Sequence, residues 1–397
     1  MARRHDASGQ IVSDSQLPDE GDRQEAVGAL RAYLDTEVEP IVAQYRDKFI
    51  PKETMLAVVQ RLISFGLVVA PFPPEVGGWG LSWELHMQLF EEVCYTSSDI
   101  GLALSINAIG GQLLLKAPPD LRNKYLPLVL SGHALLSVCI SEPDVGSDVA
   151  SIKINARREG DDYVINGEKT WITNGGYSDF LIVTARTGAE EERGLTHILV
   201  DRAEHGYETR SIHKIALNSQ STAHVFFTDT RVPVENRIGD EGVALAQTLN
   251  IFKVARLIMS YWSVGLARRA LDEALRYAQQ RVQHGKAIAG HQLIAASIAE
   301  MATEIAAARG LAVNAVGLLD RGKRADVEVS MAKWYACEMA GRVTRKAMHI
   351  HGANGVTTEF LVEKLAREAM VLPIPDGTTE VQKLVIARAL TGISAFR

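Results

Sequence analysis

The chain has 397 residues, is 47% hydrophobic and 23% charged, and carries a formal net charge of −6. That length suffices for two or three structural units with buried cores, and the acidic balance leaves no basic excess for phosphates, which excludes nucleic acid as a main partner. No apolar run reads as long enough for a membrane span, and three widely spaced cysteines, Cys94, Cys139 and Cys337, form neither a disulfide framework nor a zinc site.

Residues 1–22 are polar and read as a disordered tail. Arg3 and Arg4 are a weak transit-peptide signal that Asp6, Asp14, Asp19, Glu20 and Asp22 oppose, so a cytoplasmic protein is expected. Residues 23–135 read as a helical domain with helices over 25–44, 51–65, 82–96 and 98–116, divided by Pro71-Phe72-Pro73-Pro74 and Gly77-Gly78-Trp79-Gly80.

Residues 136–238 switch to short β runs at 135–140, 163–165, 180–185, 196–200 and 222–227, which predicts an antiparallel barrel or sandwich. Asn166-Gly167 predicts a type I′ hairpin turn, since both central residues of that turn need positive φ. Trp171 and Thr173 stand two apart on the following strand and so share a face. An aromatic shield beside a hydroxyl suits a planar, apolar ring with polar edges. From 239 to 397 the pattern returns to long helices, with Val264, Ala267, Leu271, Leu275 and Ala278 on one face. Pro373 and Pro375 forbid a continuous helix, and Thr379-x-x-Gln382 predicts a capping box. Asp376 therefore sits on a tight loop before a helix N-terminus, where Pro-Asp-Gly also reads simply as a turn. His349 and His351 lack companion ligands, so no metal site is expected.

Six ordered matches carry a resemblance to the acyl-CoA dehydrogenase family: Ser141-Glu142-Pro143 with Gly146-Ser147-Asp148, Trp171-Ile172-Thr173, Arg256, Arg281, Gly352-Ala353-Asn354-Gly355, and Asp376-Gly377-Thr378. The resemblance covers nearly everything after residue 23. It implies an α+β chain with an N-terminal helical domain, a central antiparallel β domain and a C-terminal four-helix bundle, assembled as a homotetramer. It implies FAD as cofactor, with Ser141 and Thr173 bonded to the isoalloxazine and Trp171 packed against it. Arg281 and His284 (where a Phe is usual) would reach the pyrophosphate across a subunit interface, Gln292 is another cofactor position, and His349, Gly352 and Ala353 make further pyrophosphate contacts. In relatives the first of these three is usually Gln and the last Gly. Thr378 and Glu380 are further cofactor positions, and Ser147, Arg256 and Gly377 belong to the substrate side. Val145 replaces a small residue, either narrowing the approach to the flavin or changing local packing. On the predicted helix over 98–116, Ser105 and Asn107 are either helix-face polar residues or contacts to a functionalised acyl group.

The implied reaction is α,β-dehydrogenation of an acyl-CoA or acyl-carrier thioester, in the setting of fatty acid metabolism, with electrons passed to an electron-transferring flavoprotein. Asp376 occupies the slot of a catalytic Glu, and the alternative base position before Arg256 holds Ala255. Asp is shorter by one carbon–carbon bond, roughly 1.5 Å, and a misplacement of about 1 Å can lower a rate on the order of 100-fold. The helix terminus favours the ionised carboxylate, while burial raises its pKa and is expected to win with substrate bound. Two other readings remain: an oxidase or monooxygenase on the same scaffold, such as a nitroalkane oxidase with an Asp base, and a flavin-holding homologue that has lost activity.

Overall fold

The computed structural model describes residues 4–5, 11–12, 20–187 and 194–396. Of the expected tail it describes β1 (Arg4–His5) paired antiparallel with β2 (Ile11–Val12) and the start of the first helix; the rest of 1–22 lies outside the described residues. The first helical layer holds α1 (Glu20–Tyr33), α2 (Glu39–Gln44), α3 (Lys52–Ile63), α4 (Trp83–Thr96), α5 (Ser98–Leu114) and α6 (Pro119–Leu130). The single helix predicted over 25–44 is interrupted by a π-turn at Leu34–Val38, because Pro40 has no N–H to continue the ladder. Ser82 and Ser97 start α4 and α5 by accepting the N–H groups of Leu85 and Ile100.

The middle of the chain forms β3 (Leu136–Cys139), β4 (Asn155–Glu159), β5 (Asp162–Thr173), β6 (Phe180–Thr187), β7 (Gly194–Asp201), a short α7 (Arg202–His205), β8 (Glu208–Ser211), β9 (Thr222–Pro233) and β10 (Arg237–Ile238). The order is β10-β7-β6-β4-β5-β9-β8, with β3 paired to β6 in parallel. The sheet is therefore mixed, not purely antiparallel. The segment between β3 and β6 is long enough for the crossover that a parallel pair requires. Asn166-Gly167 is not a hairpin turn either. The turn falls at Gly160-Asp161, between paired Glu159 and Asp162, and β5 runs straight through Asn166 and Gly167 as a bulge. There the Asn166 amide donates to Asp229 Oδ1 at 3.0 Å and its oxygen accepts the Asp229 N–H at 2.9 Å, so the strong turn dipeptide clamps β5 to β9.

The C-terminal layer holds α8 (Ala244–Gln280), a small hairpin of β11 (Val282–Gln283) and β12 (Lys286–Ala287), α9 (Gln292–Asp320), α10 (Asp326–His351), α11 (Val362–Ala369) and α12 (Thr379–Thr391). α8 lies directly on α4: a Cβ at Gly265 would fall 2.4 Å from the Glu91 carbonyl, so only glycine permits that approach. The α5–α8 seam is closed by buried Trp262, whose indole N–H donates to Ser98 Oγ at 2.9 Å. Buried Asn107 joins α5 to the sheet, donating to the Ala134 carbonyl and accepting the Leu136 N–H. Of its two readings, the structural one is realised, and Ser105 likewise bonds its own helix at Leu102. Contrary to the sequence expectation, α9 is long and apolar enough, by length and composition, to cross a membrane. It lies against α8 and α10 through Met301, Ile305, Ala308, Ala312, Ala315 and Val316, and its opposite face, including Leu293, is exposed.

Candidate active site

The loop before α12 is built to hold one carboxylate. Asp376 and Gly377 both have positive φ, 56° and 88°, the pattern of a type I′ turn. A short polar side chain tolerates this region far better than a longer one, so aspartate matches its turn. Gly377 suits its place as well: φ 88° favours glycine, and a Cβ there would displace the Gln382 amide, whose Nε2 would lie 2.7 Å away. The helix cap is displaced by one residue from the expected capping box. Thr378 is the N-cap and accepts the Val381 N–H, while Thr379 donates to Glu338 at 2.7 Å. Gln382 turns back to the Gly377 carbonyl at 2.8 Å instead of capping.

Two buried cations lie against this turn. Arg256 Nε, from α8, donates to the Asp376 carbonyl at 3.2 Å. Lys333 Nζ, from α10, donates to the carbonyls of Pro373 at 2.9 Å and Gly377 at 3.0 Å. Burial pushes the Asp376 carboxyl above the usual aspartate range, against the pull of the Lys333 and Arg256 charges. Sequence reasoning missed Lys333. The available signal was its position on the buried face of α10, four residues after Val329 and three before Ala336. Glu380 is exposed on the first turn of α12, where its own backbone N–H and the Thr378 hydroxyl hold it below the usual glutamate range.

A second group forms at the end of β5. The Ser141 carbonyl accepts the Thr170 N–H at 3.0 Å. Buried Lys169 grips both neighbours of Ser141, donating to the Ile140 carbonyl at 2.7 Å and to Glu142 Oε1 at 3.0 Å. Glu142 also accepts the N–H groups of Lys153 and Ile154. A bulge follows Lys169 and sets Trp171 at φ 61° with 61% of its surface exposed. A large side chain in the left-handed region is strained, and strain of this kind collects at functional sites. Thr173, half-buried, is fixed through its carbonyl by the Ser137 hydroxyl at 2.7 Å. Ser147 is exposed. Val145 is buried in the sheet core beside Cys139 and Ile152, so its substitution is one of packing.

The third group lies at the far end of α8. Arg281, Gly352 and Ala353 line one cavity of about 300 Å³ together with Tyr277, His351 and Asn354. His351 stacks on Tyr277 with ring centroids 4.2 Å apart. His349, the residue chosen from the sequence, is instead exposed and absent from the cavity lining, because two helical residues separate it from His351 by about 200°. His284 and Gln292 are exposed nearby, His284 facing the ring of His291. Arg281 caps the end of α8, 25 positions along the chain from Arg256, or roughly 37 Å at the helical rise.

This architecture matches known proteins along nearly its whole described length. Models of the acyl-CoA dehydrogenase N-terminal, middle and C-terminal domains match residues 21–133, 137–230 and 240–391. The chain belongs to the acyl-CoA dehydrogenase family and is an FAD-dependent oxidoreductase. The caffeyl-CoA reductase–Etf complex subunit CarC of Acetobacterium woodii is 35% identical over 84% of this chain and 89% of its own. The cyclohexane-1-carbonyl-CoA dehydrogenase of Geobacter metallireducens is 34% identical over 84% of this chain and 88% of its own. A glutaryl-CoA dehydrogenase from Mycobacterium smegmatis in complex with FADH2 superposes with a TM-score of 0.89 at 25% identity, covering 97% of this chain and 98% of that one. The residues fit such a cofactor. Trp171 offers a strained, exposed aromatic face, and Arg281 brings a planar fork of donors to a cavity rimmed by Gly352, where an added Cβ would meet nothing.

Proposed function

We propose that the protein oxidises an acyl-CoA, or a carrier-bound acyl thioester, to its α,β-unsaturated product, with Asp376 as the base. The observation that carries this reading is the Asp376 turn itself: a carboxylate on a rigid left-handed turn with its backbone carbonyl held by Arg256. The Asp376 carboxylate takes the α-proton of the thioester, and the electron pair of that C–H bond becomes the new π bond. FAD, when bound, supplies the acceptor for the hydride leaving the β-carbon. Ser141, Trp171 and Thr173 would seat the flavin ring, with Thr378 and Glu380 beside it, while Ser147, Arg256 and Gly377 face the thioester. Arg281, His284, Gln292, Gly352 and Ala353 would hold the pyrophosphate. In the reverse direction, which the name of the A. woodii relative describes, protonated Asp376 returns the proton to the α-carbon.

The assembly proposed is a homotetramer, and the helix geometry supports a cofactor shared between copies. A separation of roughly 37 Å along one helix keeps Arg281 from the turn of its own chain, so a second copy brings its Arg281 to the cofactor. The exposed apolar residues of α9 and of the C-terminus, Leu293, Leu390 and Ile393, suit burial between copies. Sedimentation should give four chains per particle; a monomer at working concentration would remove the shared-cofactor reading. The electron acceptor is an electron-transferring flavoprotein, in keeping with the Etf complex named for the A. woodii relative, and the expected location is the cytoplasm.

The test is anaerobic addition of short, long, branched, aromatic and cyclic acyl-CoAs to the yellow holoprotein. Flavin bleaching by one class is the expected result and names the substrate. The Asp in place of Glu favours one second reading, an oxidase. Flavin that bleaches with a nitroalkane but with no thioester, and reoxidises at once in air, would establish it.

A further inference from the structure

Lys333 is a fully buried lysine in the middle of α10, and its charge faces no carboxylate at ion-pair distance among the described residues. Burying an ammonium is expensive unless it is paired. An apolar side chain would fill the same space without that penalty. What Lys333 does with its charge is specific. Two of its three donors go to Pro373 and Gly377, the carbonyls on either side of Asp376. Arg256 takes the carbonyl between them, and Gln382 shares that of Gly377. The carbonyls of Pro373, Asp376 and Gly377 are thereby held from α8, α10 and α12 together. No hydrogen bond among the described residues reaches the Asp376 carboxylate oxygens, so that group alone is left to act.

We infer that Lys333 is a positioning residue for proton abstraction: from α10 it pins the Pro373–Gly377 turn on both sides of Asp376 and supplies the buried positive charge against which that carboxylate works. This rests on the reading of Asp376 as the base. The charged and titratable groups around the turn are Arg256 on α8, Lys333, Cys337 and Glu338 on α10, and Glu380 and Lys383 on α12. Lys333 and Arg256 are the two that hold the Asp376 carboxyl down against burial. Removing the ammonium makes the carboxyl harder to ionise, so its titration moves to higher pH.

The experiment is an infrared pH titration of the FAD-loaded holoenzyme, following the protonated-carboxyl band that disappears in Asp376→Asn. It is run on the wild type, Lys333→Met, Lys333→Gln and Lys333→Arg. The Gln variant keeps an amide donor for the turn without the charge, and it serves if the Met variant does not fold. The midpoint is expected to rise on the order of one pH unit or more in Met and Gln, and to stay at the wild-type value in Arg. Midpoints unchanged in both neutral variants would overturn the inference. With the acyl-CoA that bleaches the wild type, the acid limb of the reduction rate should rise by the same amount, with Lys333→Arg restoring it. Absence of bleaching in the wild type would instead count against the base reading, and the infrared midpoints still decide the role of Lys333.

Discussion

Asp376→Asn is expected to lower the rate of flavin reduction by acyl-CoA by about 10³- to 10⁴-fold while leaving FAD bound and the fold intact. The magnitude is that of removing a positioned general base, about 10²–10⁴, taken toward the upper end because Ala255 leaves no carboxylate at the alternative base position before Arg256. The fold should survive because asparagine is isosteric and tolerates the left-handed region at φ 56°. The contacts that hold the turn run through the carbonyls of Pro373, Asp376 and Gly377, which the substitution leaves alone. The wild type should also show an acid limb. The base acts only when ionised, and burial raises its pKa, so activity falls as the pH drops through a value above the ordinary 3.8 of aspartate. The Asn variant should have no such limb. Stopped-flow reduction across pH measures both effects, and an Asn variant within threefold of the wild type would remove Asp376 as the base. Lengthening instead of neutralising tests the turn: Asp376→Glu places a less tolerant residue at positive φ, and a slower Glu variant would show that loop geometry, not chain length, compensates for the shorter acid.

Much of this site was legible in the residues because local chemistry fixed it. Pro373, Pro375 and Gly377 forced a loop before α12, and a single carboxylate stood on it. Gly352 and Arg281, far apart in the chain, were found through motif order and do line one cavity. The failures share another cause: tertiary partners overrode local preference. Asn166-Gly167 has a strong turn propensity, yet Asp229 across the ladder satisfies its side chain and makes it a bulge. The antiparallel expectation holds for most strand pairs and fails only where β3 and β4 meet β6, because strand direction there depends on crossovers that no short window records. His349 and His351 are alike in sequence, and only the helix phase against Tyr277 separates them. Lys333 escaped notice because a lysine within a long helix normally reads as a solvated charge; only its place on the Val329–Ala336 face hinted otherwise.

Lys169→Met should destabilise the protein by about 3–5 kcal/mol, the effect of removing one partner of a buried ion pair. The Lys169 side chain is wholly buried and that of Glu142 nearly so, with 3.0 Å between them, and burial draws the Lys169 ammonium down to about 8 while Glu142 holds it protonated. Methionine fills the space but leaves the Glu142 charge buried with the Lys153 and Ile154 N–H groups as the only partners of its carboxylate among the described residues. An apolar pair at both positions often recovers such a loss. Here it should not: Lys169→Met with Glu142→Leu orphans both N–H groups, at about 1–3 kcal/mol for each. The same clamp fixes the residues on either side of Ser141, so loosening it should release flavin as well as lower stability. Urea denaturation followed by flavin fluorescence measures both. A Met variant within 1 kcal/mol of the wild type would mean the pair behaves like a surface ion pair. A double variant that regained full stability would mean the two N–H groups find other partners. FAD lost from the Met variant under conditions where its backbone remains folded would tie this buried lysine to the seating of the flavin ring.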